Sequence, residues 1–182
     1  MRVIAGEAKG HSIRSLKGGQ LRPTSDRVRE SLFDRLGSRV VGAAILDLFA
    51  GSGSLGIEAL SRGAATATFV ENHHRAVEVI QENLEHTKLD PRGVVVESSV
   101  RRFLAKPPAD PFDIVFLDPP YDEGVPRVTL MMITMSGFLN PSGLVVLETA
   151  SRYLPLDAPA NLKVAGEYRY GDTTLVFLEE GI

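Results

Sequence analysis

Short apolar runs and helically spaced apolar residues alternate along most of this chain. The runs at 44–49, 67–71, 93–97, 112–117 and 143–148 predict strands. The stretches near 54–62, 74–88, 100–105 and 126–137 predict helices, with Ala76, Val77, Ile80 and Leu84 as the apolar stripe of the second. Repeated strand–helix units predict a doubly wound parallel α/β sheet with right-handed crossovers and helices on both faces. The C-terminal end differs. Residues 163–170 and 173–178 are two strand-like runs joined at Gly171-Asp172, which predicts a hairpin and a terminal antiparallel strand.

The first residues follow another pattern. Arg2-Val3-Ile4-Ala5 and Ser12-Ile13-Arg14-Ser15-Leu16 alternate, and Gly6, Gly10, Gly18 and Gly19 punctuate them. They predict a short β-hairpin arm over residues 1–24, ahead of a main domain spanning 25–182. Pro23-Thr24-Ser25-Asp26 is a helix-start signal with Thr24 or Ser25 as N-cap. Val28, Leu32 and Leu36 give that helix one apolar face, and Gly37 is its expected stop.

Composition narrows the chemistry. With 182 residues, 43 % of them apolar, the chain is the size of one domain with its own core. It has no Cys, which excludes disulfides, thiolate nucleophiles and Cys-ligated zinc. His11, His73, His74 and His86 form no metal-ligand pattern, so no metal is expected. No apolar run is long enough to span a bilayer, and no signal-peptide core is visible. A cytoplasmic, monomeric protein is the expectation. Net charge is −3, but residues 1–39 carry +5 and the remainder −8. A basic N-terminal segment on an acidic body is the footprint expected of a phosphate-backbone contact, although a merely solvated basic surface looks the same in sequence.

Two motifs sit at strand ends. Gly51, Gly53 and Gly56 fit G-x-G-x-x-G between a strand and a helix, and Glu71 follows twenty residues after Gly51. Alone this is a dinucleotide fingerprint and would support an NAD enzyme. Asp47, just before the glycines, argues otherwise. A pyrophosphate is repelled by a neighbouring carboxylate, whereas S-adenosylmethionine brings an ammonium and a sulfonium, both positive. Glu71 suits the ribose of either cofactor.

The second motif is Asp118-Pro119-Pro120-Tyr121, after the apolar run Ile114–Leu117. A lone motif of this kind is more often a turn with a packing tyrosine. Beside a glycine loop at a switch in sheet winding it becomes a catalytic candidate. The Asp118 carboxylate and the Pro119 carbonyl can accept N–H bonds from an exocyclic base amine, and Tyr121 can stack on an unstacked base.

The blocks Leu21–Phe33 and Leu46–Ala64, with the opening Met1–Gly6, resemble the RsmD family of bacterial 16S ribosomal RNA guanine-N2 methyltransferases. The resemblance covers nearly the whole length, and the N-terminal block is its most specific part. It implies a Rossmann-like class I methyltransferase sheet of seven strands, S-adenosylmethionine as donor, and ribosomal RNA or a small-subunit particle as partner. Carried over to this chain, it places the donor at Asp47, Phe49, Gly51, Gly53, Glu71 and Asn72, with Ser99, Val100 and Thr24 nearby. Related enzymes often carry Asp or Asn where this chain has Ser98-Ser99. The expected RNA contacts are Arg2, Lys9, Arg14, Lys17, Arg22, Arg27 and Arg29. An adenine-N6 methyltransferase could use the same four catalytic residues. An NAD oxidoreductase would lack a convincing proton donor, and a non-catalytic RNA-binding module is a third reading.

Overall fold

The computed structural model describes residues 1–15, 26–119 and 125–181. Thr24, Lys17, Arg22, Pro120 and Tyr121, and the boundary expected at residue 24, lie outside the described residues.

Seven strands form one sheet: β1 (Ala44–Leu48), β2 (Thr66–Glu71), β3 (Gly93–Glu97), β4 (Phe112–Leu117), β5 (Leu139–Ala150), β6 (Leu162–Tyr170) and β7 (Thr173–Glu180). Their order is β3-β2-β1-β4-β5-β7-β6. The first five pair in parallel, and β7 runs antiparallel to both β5 and β6. Among the described residues the α-helices are α1 (Asp26–Leu36), α2 (Ser54–Ser61), α3 (His74–Thr87), α4 (Val100–Leu104) and α5 (Val125–Met135). The strands and helices predicted for residues 44–182 are all present, with β5 starting four residues earlier than its apolar run indicates.

Strand alternation splits the core into two layers. Ile45, Phe69, Ile114, Phe116 and Val146 pack with residues of α1, α2 and α3. Leu46, Leu48, Val70, Val115, Leu117 and Leu147 pack with α4 and α5 residues such as Leu104, Leu130 and Ile133. Because β1 and β4 are central, consecutive residues face opposite layers and both are buried, which is why these strands read as continuous apolar runs. The winding reverses between β1 and β4, where the strand order leads outward to β2 and β3 on one side and β5 on the other. That is the place where open α/β sheets bind ligands.

Close packing fixes the glycine motif. A Cβ on Gly56 would lie 2.3 Å from the Phe69 ring, so only glycine lets α2 approach β2 this closely.

Of the expected N-terminal hairpin, residues 1–15 are described, and they pair through one antiparallel bridge, Arg2 to Ser12. The segment is not a free arm, because Val3, Ala8 and Ile13 are buried in the layer that α1, α2 and α3 share. Gly6 has φ +82°, and a Cβ there would collide with the Ser61 carbonyl at 1.8 Å. α1 is tied to the far sheet edge by a Ser31–Tyr170 hydroxyl contact and by Arg35 over the Tyr168 ring.

Candidate active site

The turn after β1 needs unusual backbone. Phe49, Gly51 and Gly53 have φ of +60°, +57° and +75°, a conformation that costs a phenylalanine more than a glycine. Acidic side chains hold the turn. Glu71, at the end of β2, accepts the Gly51 N–H through Oε2 at 2.9 Å. Its Oε1 accepts the N–H groups of Asn72 and His73 at 2.8 and 2.9 Å. A carboxylate offers about four acceptor positions, so one remains for a ligand hydroxyl. Asp47 Oδ2 accepts the Gly56 N–H at 2.9 Å. Its burial, with Glu71 adding like charge, pushes the carboxyl up to about 7 despite that bond.

Asn83 on α3 is a further support that sequence reasoning missed. It is buried, and its Nδ2 donates to the carbonyls of Ser52 and Arg14 at 3.0 Å each. Its Oδ1 accepts the Arg14 N–H at 2.8 Å. One helix side chain thus ties the glycine turn to the N-terminal segment. The isolated amphipathic pattern of α3 carries no sign of this.

A cavity of about 390 Å³ opens beside the turn, at the ends of β2 and β3. Phe49, Val70, Val100, Val125, Val128 and Met132 supply apolar wall. Glu71, Asn72, Ser98, Ser99, Arg101 and Thr129 supply the polar lining. Five expected cofactor residues therefore meet here: Phe49, Glu71, Asn72, Ser99 and Val100. The Ser99 Oγ also caps α4, accepting the Arg102 N–H at 3.3 Å. Asp47, Gly51 and Gly53 shape the turn and are not part of this cavity's lining. The α5 wall was not foreseen, since nothing in its own sequence says which end of the sheet it covers.

Asp118 directly follows β4 and is half-buried, and Pro119 is buried. The register places Leu117 beside Leu147, so Asp118 and Glu148 come next on paired strands. Glu148 is buried and was not foreseen. Burial, then Glu148, then Asp47 push the Asp118 carboxyl well above the usual carboxylate range. The strand ends around the switch thus gather Asp47, Glu71, Asp118 and Glu148. The raised carboxyls of Asp47 and Asp118 at the C-terminal edge of an α/β sheet mark a chemical site better than a structural one.

The expected RNA contacts divide. Arg2, Lys9, Arg14 and Arg27 are exposed, with Arg14 paired to Glu82. Arg29 is a correction. It is fully buried, donating to the Arg2 carbonyl at 2.6 Å and to Asp26 at 3.0 Å, with its Nε 3.8 Å from Glu58. It anchors the N-terminus and does not reach solvent. Among the described residues, no group of three or more His, Cys, Asp or Glu could hold a metal, and no helix is long and apolar enough to cross a membrane.

Comparison with known proteins fits this architecture. The ribosomal RNA small subunit methyltransferase D of Escherichia coli K12 is 38 % identical over 175 residues, spanning 93 % of this chain and 87 % of that one. The solved structure of the Escherichia coli protein yhhF superposes with a TM-score of 0.90 at 36 % identity, covering 99 % of this chain and 97 % of that one. The ribosomal protein L11 methylase of Lactobacillus delbrueckii shares the class I methyltransferase fold at 20 % identity, with a TM-score of 0.72 and coverage of 92 % and 84 %. A family model described as "Conserved hypothetical protein 95" matches residues 1–179, and the chain belongs to that family, the RsmD family.

Proposed function

We propose that this protein is a ribosomal RNA methyltransferase that moves a methyl group from S-adenosylmethionine to the exocyclic N2 amine of a guanine in 16S ribosomal RNA. The observation that carries the reading is the pairing of β1 with β4 at the switch point, which sets the glycine turn beside Asp118-Pro119. The kinship with ribosomal RNA small subunit methyltransferase D supplies the substrate class.

The cavity suits an adenosyl group. Its apolar walls fit a flat base, and Glu71 retains acceptor capacity toward a ribose hydroxyl. Bound there, S-adenosylmethionine supplies an electrophilic sulfonium methyl. The chain's own residues do the rest. The Asp118 carboxylate and the Pro119 carbonyl accept N–H bonds from the amine and localise its lone pair. Fixing amine and donor in one orientation lowers the barrier further. Tyr121 would cover the base, which must leave its helix to reach the site. The exposed Arg2, Lys9, Arg14 and Arg27 contact phosphates.

The test is transfer of labelled methyl to ribosomal RNA from cells lacking this gene, followed by identification of the modified nucleoside. N2-methylguanosine in the small-subunit RNA is the expected product. Label in adenine N6, or none at all, would refute the assignment.

A further inference from the structure

Along the crease between α1 and the edge strand β6, exposed cations lie beside aromatic rings. Arg27, Ser31 and Arg35 recur at four-residue spacing, so they line one face of α1. Against them β6 sets the half-buried Tyr168 and Tyr170, two residues apart and therefore on one sheet face. The Arg35 guanidinium carbon lies 3.4 Å from the centre of the Tyr168 ring. Arg35 Nε donates to the Tyr170 hydroxyl at 3.4 Å, and that hydroxyl also meets the Ser31 Oγ. Stacking holds the planar guanidinium in one orientation and leaves its terminal N–H groups for another acceptor. Arg27 and Arg35 are exposed, and among the described residues neither has a carboxylate partner. Other arginines at the surface do: Arg39 pairs with Glu179, Arg92 with Glu7 and Arg127 with Asp157. The acids next to the two cations in α1 are turned elsewhere, Asp26 to Arg29 and Asp34 to Arg62.

The topology brings this crease to the catalytic edge. β5 runs parallel to β4, so its last residue, Ala150, lies at the edge that carries Asp118. Ala150 pairs with Thr173, and Thr173 with Tyr170. The cavity lies on the other side of Asp118 in strand order, at β2 and β3, and on the opposite sheet face, with α4 and α5 residues as its wall. We propose that the α1–β6 crease is a track for a strand of the substrate RNA, with Arg27 and Arg35 each taking a phosphate. The track rests on the proposed function and adds a route: RNA reaches Asp118 from the face opposite the methyl donor. Eight residues separate the two arginines, about 12 Å along a helix, so they engage phosphates of different nucleotides. A guanidinium already stacked on a ring presents its fork to a phosphate with little further ordering. Cations without carboxylate partners are free to replace the counterions of an RNA backbone.

The test measures binding of small-subunit ribosomal RNA from cells lacking this gene, across salt concentrations. Wild type is compared with Arg27→Gln, Arg35→Gln and the double variant. Each single variant should lower the salt slope by about one unit, and the double variant by about two. Arg35→Lys keeps the charge and should keep the wild-type slope. Affinity for S-adenosylmethionine, read by calorimetry, should be unchanged throughout, since neither arginine lines the cavity. If Arg35 is only a latch between α1 and the sheet, Arg35→Gln lowers the melting temperature and leaves the slope in place, and that result overturns the track. Should Arg35→Gln fail to fold, the Arg35 Nε–H signal of wild-type protein is followed by NMR as single-stranded oligouridylate is added. A shift of that signal supports the track, and a fixed signal overturns it. Binding is read without methyl transfer, so a wild-type protein that binds RNA through both arginines but methylates no guanine refutes the proposed function alone.

Discussion

Glu58, within α2, and Asp118, just past the end of β4, are both acids, and the protein treats them oppositely. Glu58 has every partner a buried carboxylate needs. It accepts the N–H groups of Ile4 and Ala5 at 2.8 and 3.0 Å and the Arg62 Nε–H at 2.8 Å, and it faces buried Arg29. Asp118 sits at a strand end where, among the described residues, the charges acting on it are those of Glu148 and Asp47. The first arrangement binds the N-terminal segment to the body. The second raises the free energy of the ionised site, a cost with no structural return. The contrast teaches where to look for chemistry: a buried acid surrounded by cations and amides is a fastener, and one surrounded by other acids is poised to exchange a proton or receive a positive ligand.

The largest effect should come from breaking the fastener. Glu58→Ala leaves the Arg29 guanidinium buried beside lost amide partners, and about 3–5 kcal/mol of stability should go, read by denaturant unfolding. A loss under 1 kcal/mol would mean that water reaches the pair. Asp118→Ala should do the reverse, leaving stability intact or higher while reducing methyl transfer about a hundredfold or more. Retention of more than about a tenth of wild-type turnover would remove Asp118 from the chemistry.

A subtler separation uses pH. Folded, Asp47 keeps its proton up to about pH 7, against an ordinary value of 3.8. Between those limits the folded state binds more protons than the unfolded one, so stability falls as pH rises through the window. Asp47→Asn should flatten that slope in urea titrations repeated across pH. An unchanged slope would show that other groups set it.

Smaller still, Glu71→Ala should weaken binding of S-adenosylmethionine by about 1–3 kcal/mol in calorimetry, through loss of a charge-assisted bond and of the anchor on Gly51. Unchanged affinity would place the ribose elsewhere. The smallest effect belongs to Arg14, an exposed residue paired with Glu82. Arg14→Ala should change stability by less than about 1 kcal/mol. If Arg14 contacts a phosphate, the salt dependence of RNA binding should drop by about one unit of slope. An identical slope would mark the Arg14–Glu82 pair as solvated surface only.

Much of this protein was legible in its sequence because the relevant signals are local. Apolar periodicity marks strands that are buried on both faces, and a glycine turn after β1 can be built only where left-handed backbone is tolerated, as at Gly51 and Gly53. Asp47, Glu71 and Asp118 stood out because each sits at the end of a readable strand. Tertiary structure alone decided the rest. Arg29 looks like one more surface cation on α1, yet helical phase and the return of residues 1–15 bury it against Glu58. Glu148 looks like an ordinary strand residue until register sets it beside Asp118, 30 positions away in the chain. Local spacing determines which elements form and what their ends carry. Which two ends meet, and whether a charge finds a cation, an amide or another carboxylate there, depends on contacts between residues far apart in sequence, and no local pattern encodes them.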